Sequence, residues 1–151
     1  MNKERFSSNM KLRIKRFDKT IPLPEYKTIG AAGFDLSSRI TITISSHQIG
    51  YIPLNIALQL PQNAWLLLSA RSSLHKSGLM MANGIGVGDP DFSGDGDEYQ
   101  AAVFNFTDKD VTIEKGQRIV QGIIMNRQQA EFEEVESLGN ADRGGFGSTG
   151  K

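Results

Sequence analysis

The sequence predicts one all-β domain of the sandwich, jelly-roll or barrel kind. Three observations predict it. Apolar residues recur at every second position in short runs, turn residues separate those runs, and no run keeps a helical period for long. The chain of 151 residues fits a single domain of ordinary size, and no long linker or low-complexity spacer divides it.

Residues 1 to 9, rich in Asn, Ser and charge, read as a flexible lead-in. Met10, Leu12 and Ile14 then alternate with Lys11, Arg13 and Lys15, the pattern of a half-buried strand. Beyond Pro22 and Pro24 come AAGFDLSS and RITITI, where Ile40, Ile42 and Ile44 alternate with threonine. Leu54, Ile56, Leu58 and Leu60 repeat the alternation in IPLNIALQLP. WLLLSA, QAAVFNF, DVTI and RIVQGIIM read as further strands between Pro, Gly, Asn and Asp turns, about eight to ten in all. KSGLMMAN has room for one helical turn or a short helix, limited by Gly78 and Gly84. QQAEFEEVESL reads as a strand at its start and a loop after it.

Seventeen Lys and Arg balance seventeen Asp and Glu. That zero is a sum of separated runs. The first 19 residues carry seven basic and two acidic side chains, residues 89 to 98 carry five acidic and no basic ones, and residues 131 to 136 add four glutamates. Such a balance excludes binding dominated by phosphate neutralisation along a nucleic acid, though not one small anionic ligand. Absence of cysteine excludes disulfides, thiolate nucleophiles and Cys-ligated zinc. No stretch approaches the roughly 18 apolar residues of a membrane-spanning helix, and no signal-like apolar run follows the basic start. A soluble cytoplasmic protein without a stable nucleic-acid or membrane partner is the expectation.

Sixteen glycines exceed the roughly 7% usual frequency, and they cluster. ANGIGVGDPDFSGDGDEYQ, residues 82 to 100, holds Asp89, Asp91, Asp95, Asp97 and Glu98 among five glycines. The spacing is not that of an EF-hand. It reads either as a solvated acidic loop or as a hairpin whose glycines let backbone approach a ligand. The tail GNADRGGFGSTG offers successive backbone N–H groups and two hydroxyls, the makings of an anion nest, yet lacks a Walker lysine. The alternative is a mobile Gly/Ser tail, against which a lone aromatic, Phe146, argues. In RSSLHKSG, residues 71 to 78, Arg71 suits a forked contact with phosphate and Ser72 and Ser73 add donors. The same two serines also suit the start of a turn or a helix cap. His47 and His75, without HxH or HExxH spacing, read as surface residues.

Taken in order, these segments resemble the trimeric dUTPase family, the deoxyuridine triphosphate nucleotidohydrolases. AAGFDLSS (31 to 38), RSSLHKSG (71 to 78), NGIGVGDPDFSG (83 to 94), EKGQRIVQ (114 to 121) and RGGFGSTG (143 to 150) match its five segments in order and spacing. The resemblance implies a distorted jelly-roll, β-barrel-like domain over 10 to 138 and a Gly-rich arm over 139 to 151 that closes the active site. It implies hydrolysis of dUTP to dUMP and pyrophosphate, Mg2+ as cofactor, and a homotrimer whose sites are shared between subunits.

The resemblance also implies roles residue by residue. Asp89 matches the aspartate that activates the attacking water. Asn83 and the backbone of Gly86, Val87 and Gly88 match the hairpin that reads uracil. Phe92 stands in place of a tyrosine beneath the deoxyribose, where bulk excludes a 2′-hydroxyl. Asp35 matches a carboxylate that holds the magnesium through water. Arg71, Ser72, Ser73 and Gln121 match phosphate contacts. Phe146 matches the aromatic that covers the base, and Arg143, Gly147, Ser148 and Thr149 match contacts closing over the phosphates.

Four departures stand out. Phe92 lacks the tyrosine hydroxyl. Gly88 replaces the usual isoleucine, which is expected to loosen one wall of the hairpin. The SGDGDEYQAAVFN stretch is about three residues longer than the family spacing, so Asp95, Asp97 and Glu98 are expected either to extend the hairpin or to bind a cation. The tail also lacks two residues often found between its arginine and GGFG. Two other readings are a dCTP deaminase-like enzyme of the same superfamily and a dUTPase-like, nucleotide-switched interaction protein. A purely structural jelly-roll subunit is a third, and it leaves the glycine clusters unexplained.

Overall fold

The computed structural model describes residues 10–148 and 150. The expected lead-in over 1–9 and the phosphate contact expected of Thr149 lie outside the described residues. Eleven strands form the jelly-roll-like domain, every pairing is antiparallel, and no α-helix occurs among the described residues.

Two sheets carry the core. The larger has the order β2-β11-β6-β8, formed by Phe34–Ser37, Arg118–Asn126, Ala64–Ala70 and Gly86–Gly88. The smaller has the order β4-β9-β7, formed by Ile49–Pro53, Gln100–Asn105 and Leu79–Met81. Two ribbons complete the domain: β1 (Arg13–Arg16) on β5 (Ile56–Gln59), and β3 (Ile42–Ile44) on β10 (Val111–Ile113). Alternation explains the burial. In β6, Ala64, Leu66 and Leu68 are buried while Trp65 and Leu67 are half-exposed, and in β9 Ala101, Val103 and Asn105 point inward. Leu66, Leu68, Ala101 and Val103 join Leu36, Ile52, Leu79, Ile113 and Val120 in one core cluster, with Asn105 buried as well. In β11 the register shifts between Arg118 and Val120, and the irregularity lets the consecutive Ile119 and Val120 both bury.

Buried polar groups organise the turns. Asn105 donates to the carbonyls of Ile44 and Lys109 at 2.9 and 2.7 Å and accepts from Thr107 N and Oγ1 at 2.9 and 2.8 Å, so its amide is fully used. The alternation read through IPLNIALQLP does not mark one strand. The chain turns between β4 and β5 at Asn55, whose φ is 71°, a left-handed conformation that asparagine tolerates. Asn55 Oδ1 accepts from Asp18 N at 2.7 Å, and its Nδ2 donates to Asp18 O at 3.0 Å.

Four local expectations change. Ile40 lies outside β3, and β1 begins at Arg13 instead of Met10. The KSGLMMAN helix is replaced by a 3-10 turn at Leu74–Ser77 and strand β7, because Gly78 ends the turn at φ 89°. No strand forms over QQAEFEEVESL; Phe132 and Leu138 are exposed, and the segment pairs with no strand among the described residues.

Candidate active site

The segment from β7 to β8, expected as a hairpin, carries the first group of expected residues, although β7 and β8 pair into different sheets. Asn83 sits in its turn, and β8 returns along β6 with Leu68 opposite Gly86 and Leu66 opposite Gly88. Glycine is required by this approach. A Cβ at Gly86 would lie 2.9 Å from Leu68 Cβ, and one at Gly88 would lie 2.8 Å from Tyr99 Cε1. Because β8 is the edge of its sheet, the outward backbone groups of Gly86, Val87 and Gly88 are left open to a ligand. Asp89 follows at the end of β8 and is exposed, and Phe92 N donates to Asp89 O at 3.1 Å, closing a turn. Asn83, Gly86, Val87, Gly88, Asp89 and Phe92 line one pocket of about 430 Å³. Six of the expected residues are thus brought together.

Tyr99 lines the same pocket, and sequence reasoning missed it. Its ring lies 5.4 Å from that of Phe92, tilted by 55°, and fills the room vacated at Gly88. The expectation that Gly88 loosens the hairpin is therefore corrected, because Tyr99 supplies the missing wall. Burial, with the negative charges of Asp97 and Asp89, pushes the phenol up to about 12. The available signal was the pairing of an unusually small residue at 88 with an added aromatic at the end of the longer loop.

That longer loop is a docked brace. Glu98 accepts from Arg39 Nε at 2.7 Å and Nη2 at 3.0 Å, and from Asn55 N at 2.9 Å. Asp97 accepts from Gly94 N at 2.8 Å, and Asp95 O accepts from Lys15 Nζ at 2.8 Å. Glu98 is thus committed to the protein's own cation, and no group of three or more His, Asp or Glu gathers as a metal site among the described residues.

A second group sits on the other strands of the large sheet. Gln121 of β11 lies opposite Asp35 of β2 on one side and Ser69 of β6 on the other. Gln121 Nε2 donates to Ala70 O at 3.3 Å. Arg71, just after β6, donates through Nε to Asp35 Oδ1 at 3.1 Å and through Nη1 to Arg118 O at 3.2 Å. Arg118 Nη1 donates to Asp35 Oδ2 at 3.0 Å, a neighbour that residue-type reasoning did not single out within EKGQRIVQ. Ser72 and Ser73 are exposed, and Ser73 occupies the cap position of the 3-10 turn without a side-chain capping bond, so its hydroxyl is not spent there. Asp35 and Arg118 border a groove of about 210 Å³ that shares no lining residue with the hairpin pocket.

The tail joins neither group. Arg143, Phe146, Gly147 and Ser148 are exposed, and their order is local: Ser148 N donates to Gly145 O at 3.0 Å. Gly144 and Gly147 take φ of 81° and 84° and Phe146 takes 54°, a run of left-handed backbone. Nothing of its own chain covers the Phe146 ring among the described residues. No helix among the described residues is long and apolar enough to cross a membrane.

The dUTPase family model matches residues 19–150. The deoxyuridine 5′-triphosphate nucleotidohydrolase of Helicobacter pylori strain P12 is 36% identical over 146 residues, covering 93% of this chain and 97% of that protein. The crystal structure of a dUTPase from Streptococcus mutans superposes with a TM-score of 0.71 at 29% identity, covering 79% of this chain and 98% of that one. The Staphylococcus bacteriophage 80alpha dUTPase with dUPNHPP shares the fold at a TM-score of 0.81 and 22% identity, covering 95% of this chain and all of that one. By the match of the family model over residues 19–150 and the 36% identity across nearly the whole of a curated relative, this chain belongs to the dUTPase family, the deoxyuridine 5′-triphosphate nucleotidohydrolases.

Proposed function

We propose that the chain hydrolyses dUTP to dUMP and pyrophosphate, with Asp89 activating the water that attacks the α-phosphorus. The observation that carries this reading is the exposed Asp89 carboxylate at the end of an open edge strand, beside the Phe92 ring, in one pocket. The edge-strand backbone and Asn83 read the pyrimidine, while Phe92 excludes a 2′-hydroxyl by bulk. Asp89 takes a proton from water as the water oxygen bonds to phosphorus; the bond to the bridging oxygen breaks, and the electron pair leaves with pyrophosphate. Arg71, Ser72, Ser73 and Gln121 bind the phosphate chain. Arg143, Gly147, Ser148 and Thr149 close over it, Phe146 covers the base, and bulk water is excluded.

Magnesium suits this donor set. Asp35 is a single carboxylate with both oxygens already on guanidinium groups, so it fits a water-mediated contact better than a protein cage. It is the residue that would hold the ion, which supplies positive charge to the triphosphate oxygens when bound.

A homotrimer with shared sites accounts for the separation seen within one chain. The hairpin pocket and the Asp35–Arg71–Gln121 group are distinct, the described residues of the 139–151 arm line neither, and the apolar Phe132, Leu138 and Phe146 stay uncovered. A neighbouring subunit supplies the missing half. A nucleoside triphosphate substrate also goes with the cytoplasmic location expected from the sequence. The test is a nucleotide panel scored for pyrophosphate and ammonia. Pyrophosphate from dUTP, lost in Asp89→Asn, is expected; equal turnover of dCTP and UTP, or ammonia release, contradicts the reading.

A further inference from the structure

We infer that Asn83 is a self-modification site: the backbone nitrogen of Gly84 converts its carboxamide to aspartate and isoaspartate, so the turn ahead of β8 carries its own ageing step. The conversion needs only this chain and water. Its consequence for activity rests on the dUTP reading.

Sequence and structure point to the same residue. Asn83 is the one asparagine of the sequence followed by glycine, so no side chain screens the attacking nitrogen. Asn83 and Gly84 are both exposed, and a Cβ at Gly84 would meet nothing within 4 Å, so solvent reaches the nitrogen from open space. Asn55, Asn105 and Asn140 tie their carboxamides to the carbonyls of Asp18, Ile44 and Leu138. No such bond engages Asn83 among the described residues.

The turn also holds the nitrogen loosely. Gly84 N donates to Met81 O at 3.2 Å, the long end of the range for such bonds. Ile85 N donates to Asn83 O at 2.8 Å across Gly84 at φ 73°, the strained form of the three-residue γ-turn. Local opening relieves that strain and frees the Gly84 nitrogen. The nitrogen gives its proton to solvent and bonds to Asn83 Cγ; the Cγ–Nδ2 bond breaks and ammonia leaves with a proton, closing a succinimide ring. Water then adds to either ring carbonyl, leaving aspartate or isoaspartate, with one water consumed and one ammonia released. The new carboxylate only accepts hydrogen bonds where the carboxamide both donated and accepted. Isoaspartate also adds a methylene to the main chain of the turn, so the contact offered to a pyrimidine is lost.

The test ages wild type and Gly84→Ala in neutral buffer at physiological temperature. Peptide mass mapping follows each asparagine, enzymatic methylation detects isoaspartate, and pyrophosphate release from dUTP is measured on the same samples. A gain of about 1 Da is expected at residue 83 ahead of every other asparagine, with isoaspartate among the products. Gly84→Ala is expected to convert several-fold more slowly. Activity of wild type should fall with the modified fraction, by about tenfold or more at full conversion. Another asparagine converting first, or an unchanged residue 83, overturns the site. Isoaspartate forms only through the ring, so aspartate alone overturns Gly84 as the nucleophile, as does an equal rate in a folded Gly84→Ala. Full activity in the converted protein overturns the functional consequence. If fresh wild type releases no pyrophosphate from dUTP, the substrate reading has failed, while the mass map still decides the modification.

Discussion

Arg71 Nε donates to Asp35 Oδ1 at 3.1 Å, and this contact sets the direction of the guanidinium before any phosphate arrives. Arg118 holds the other oxygen of the same carboxylate, so Asp35 is clamped on both sides. Asp35→Asn keeps the size and removes the charge. We expect a KM for dUTP raised by about tenfold and a magnesium titration displaced to higher concentration, since charge-assisted contacts exceed neutral ones. Steady-state kinetics across a magnesium series checks both. Arg71→Lys, which loses the planar fork, is expected to cost about tenfold to a hundredfold in kcat/KM at saturating magnesium.

The Arg39–Glu98 pair fixes the base of the longer loop. Glu98 is nearly buried and holds three N–H donors, while Arg39 is about a third exposed and correspondingly screened. Glu98→Gln is expected to destabilise the fold by about 1–3 kcal/mol, read from denaturant unfolding, because the guanidinium and the Asn55 amide lose a charged acceptor.

Gly88 and Tyr99 exchange volume. Restoring the family's isoleucine, Gly88→Ile, drives a Cβ to 2.8 Å from the Tyr99 ring. A loss of about 1–3 kcal/mol is expected from overpacking. The double variant with Tyr99→Ala should recover part of it, and thermal unfolding of the three variants measures the coupling.

Alkaline stability carries a second signature of Tyr99. In the folded chain the phenol is pushed up to about 12, above its ordinary value of 10.0, so between these limits the unfolded chain has released a proton the folded chain retains. Stability falls with pH there, by up to about 1.4 kcal/mol per pH unit from this group. The difference between wild type and Tyr99→Phe isolates it: the gap in unfolding free energy should widen in favour of Phe as pH rises above 10.

Much of this was legible in the sequence, for physical reasons. Alternation in β6 and β9 reports burial directly, since successive strand residues face opposite sides. Asn83, Gly86, Val87, Gly88, Asp89 and Phe92 meet because one short stretch, residues 83–92, contains them all. What was not legible depends on distant partners. The corner at Asn55 hides inside an unbroken alternation, and the Tyr99 packing under Gly88 joins residues across the longer loop. The segment around Phe132 looks like a strand locally and pairs with no strand among the described residues. Arg118 was visible as a basic residue, but its clamp on Asp35 spans 83 positions.

The separation of the hairpin pocket from the arm gives the central claim its sharpest test: one chain carries every part of the dUTP site and cannot complete it alone. Two variants, Asp89→Asn and a chain lacking residues 139–151, are each expected to lose nearly all dUTP hydrolysis. They are then unfolded together, refolded as a mixture, and assayed for pyrophosphate from dUTP. Recovery of activity in the mixture, where an intact Asp89 meets an intact arm from another chain, is the predicted result. A mixture as inactive as the two separate variants, despite confirmed hybrid assembly, would contradict the account.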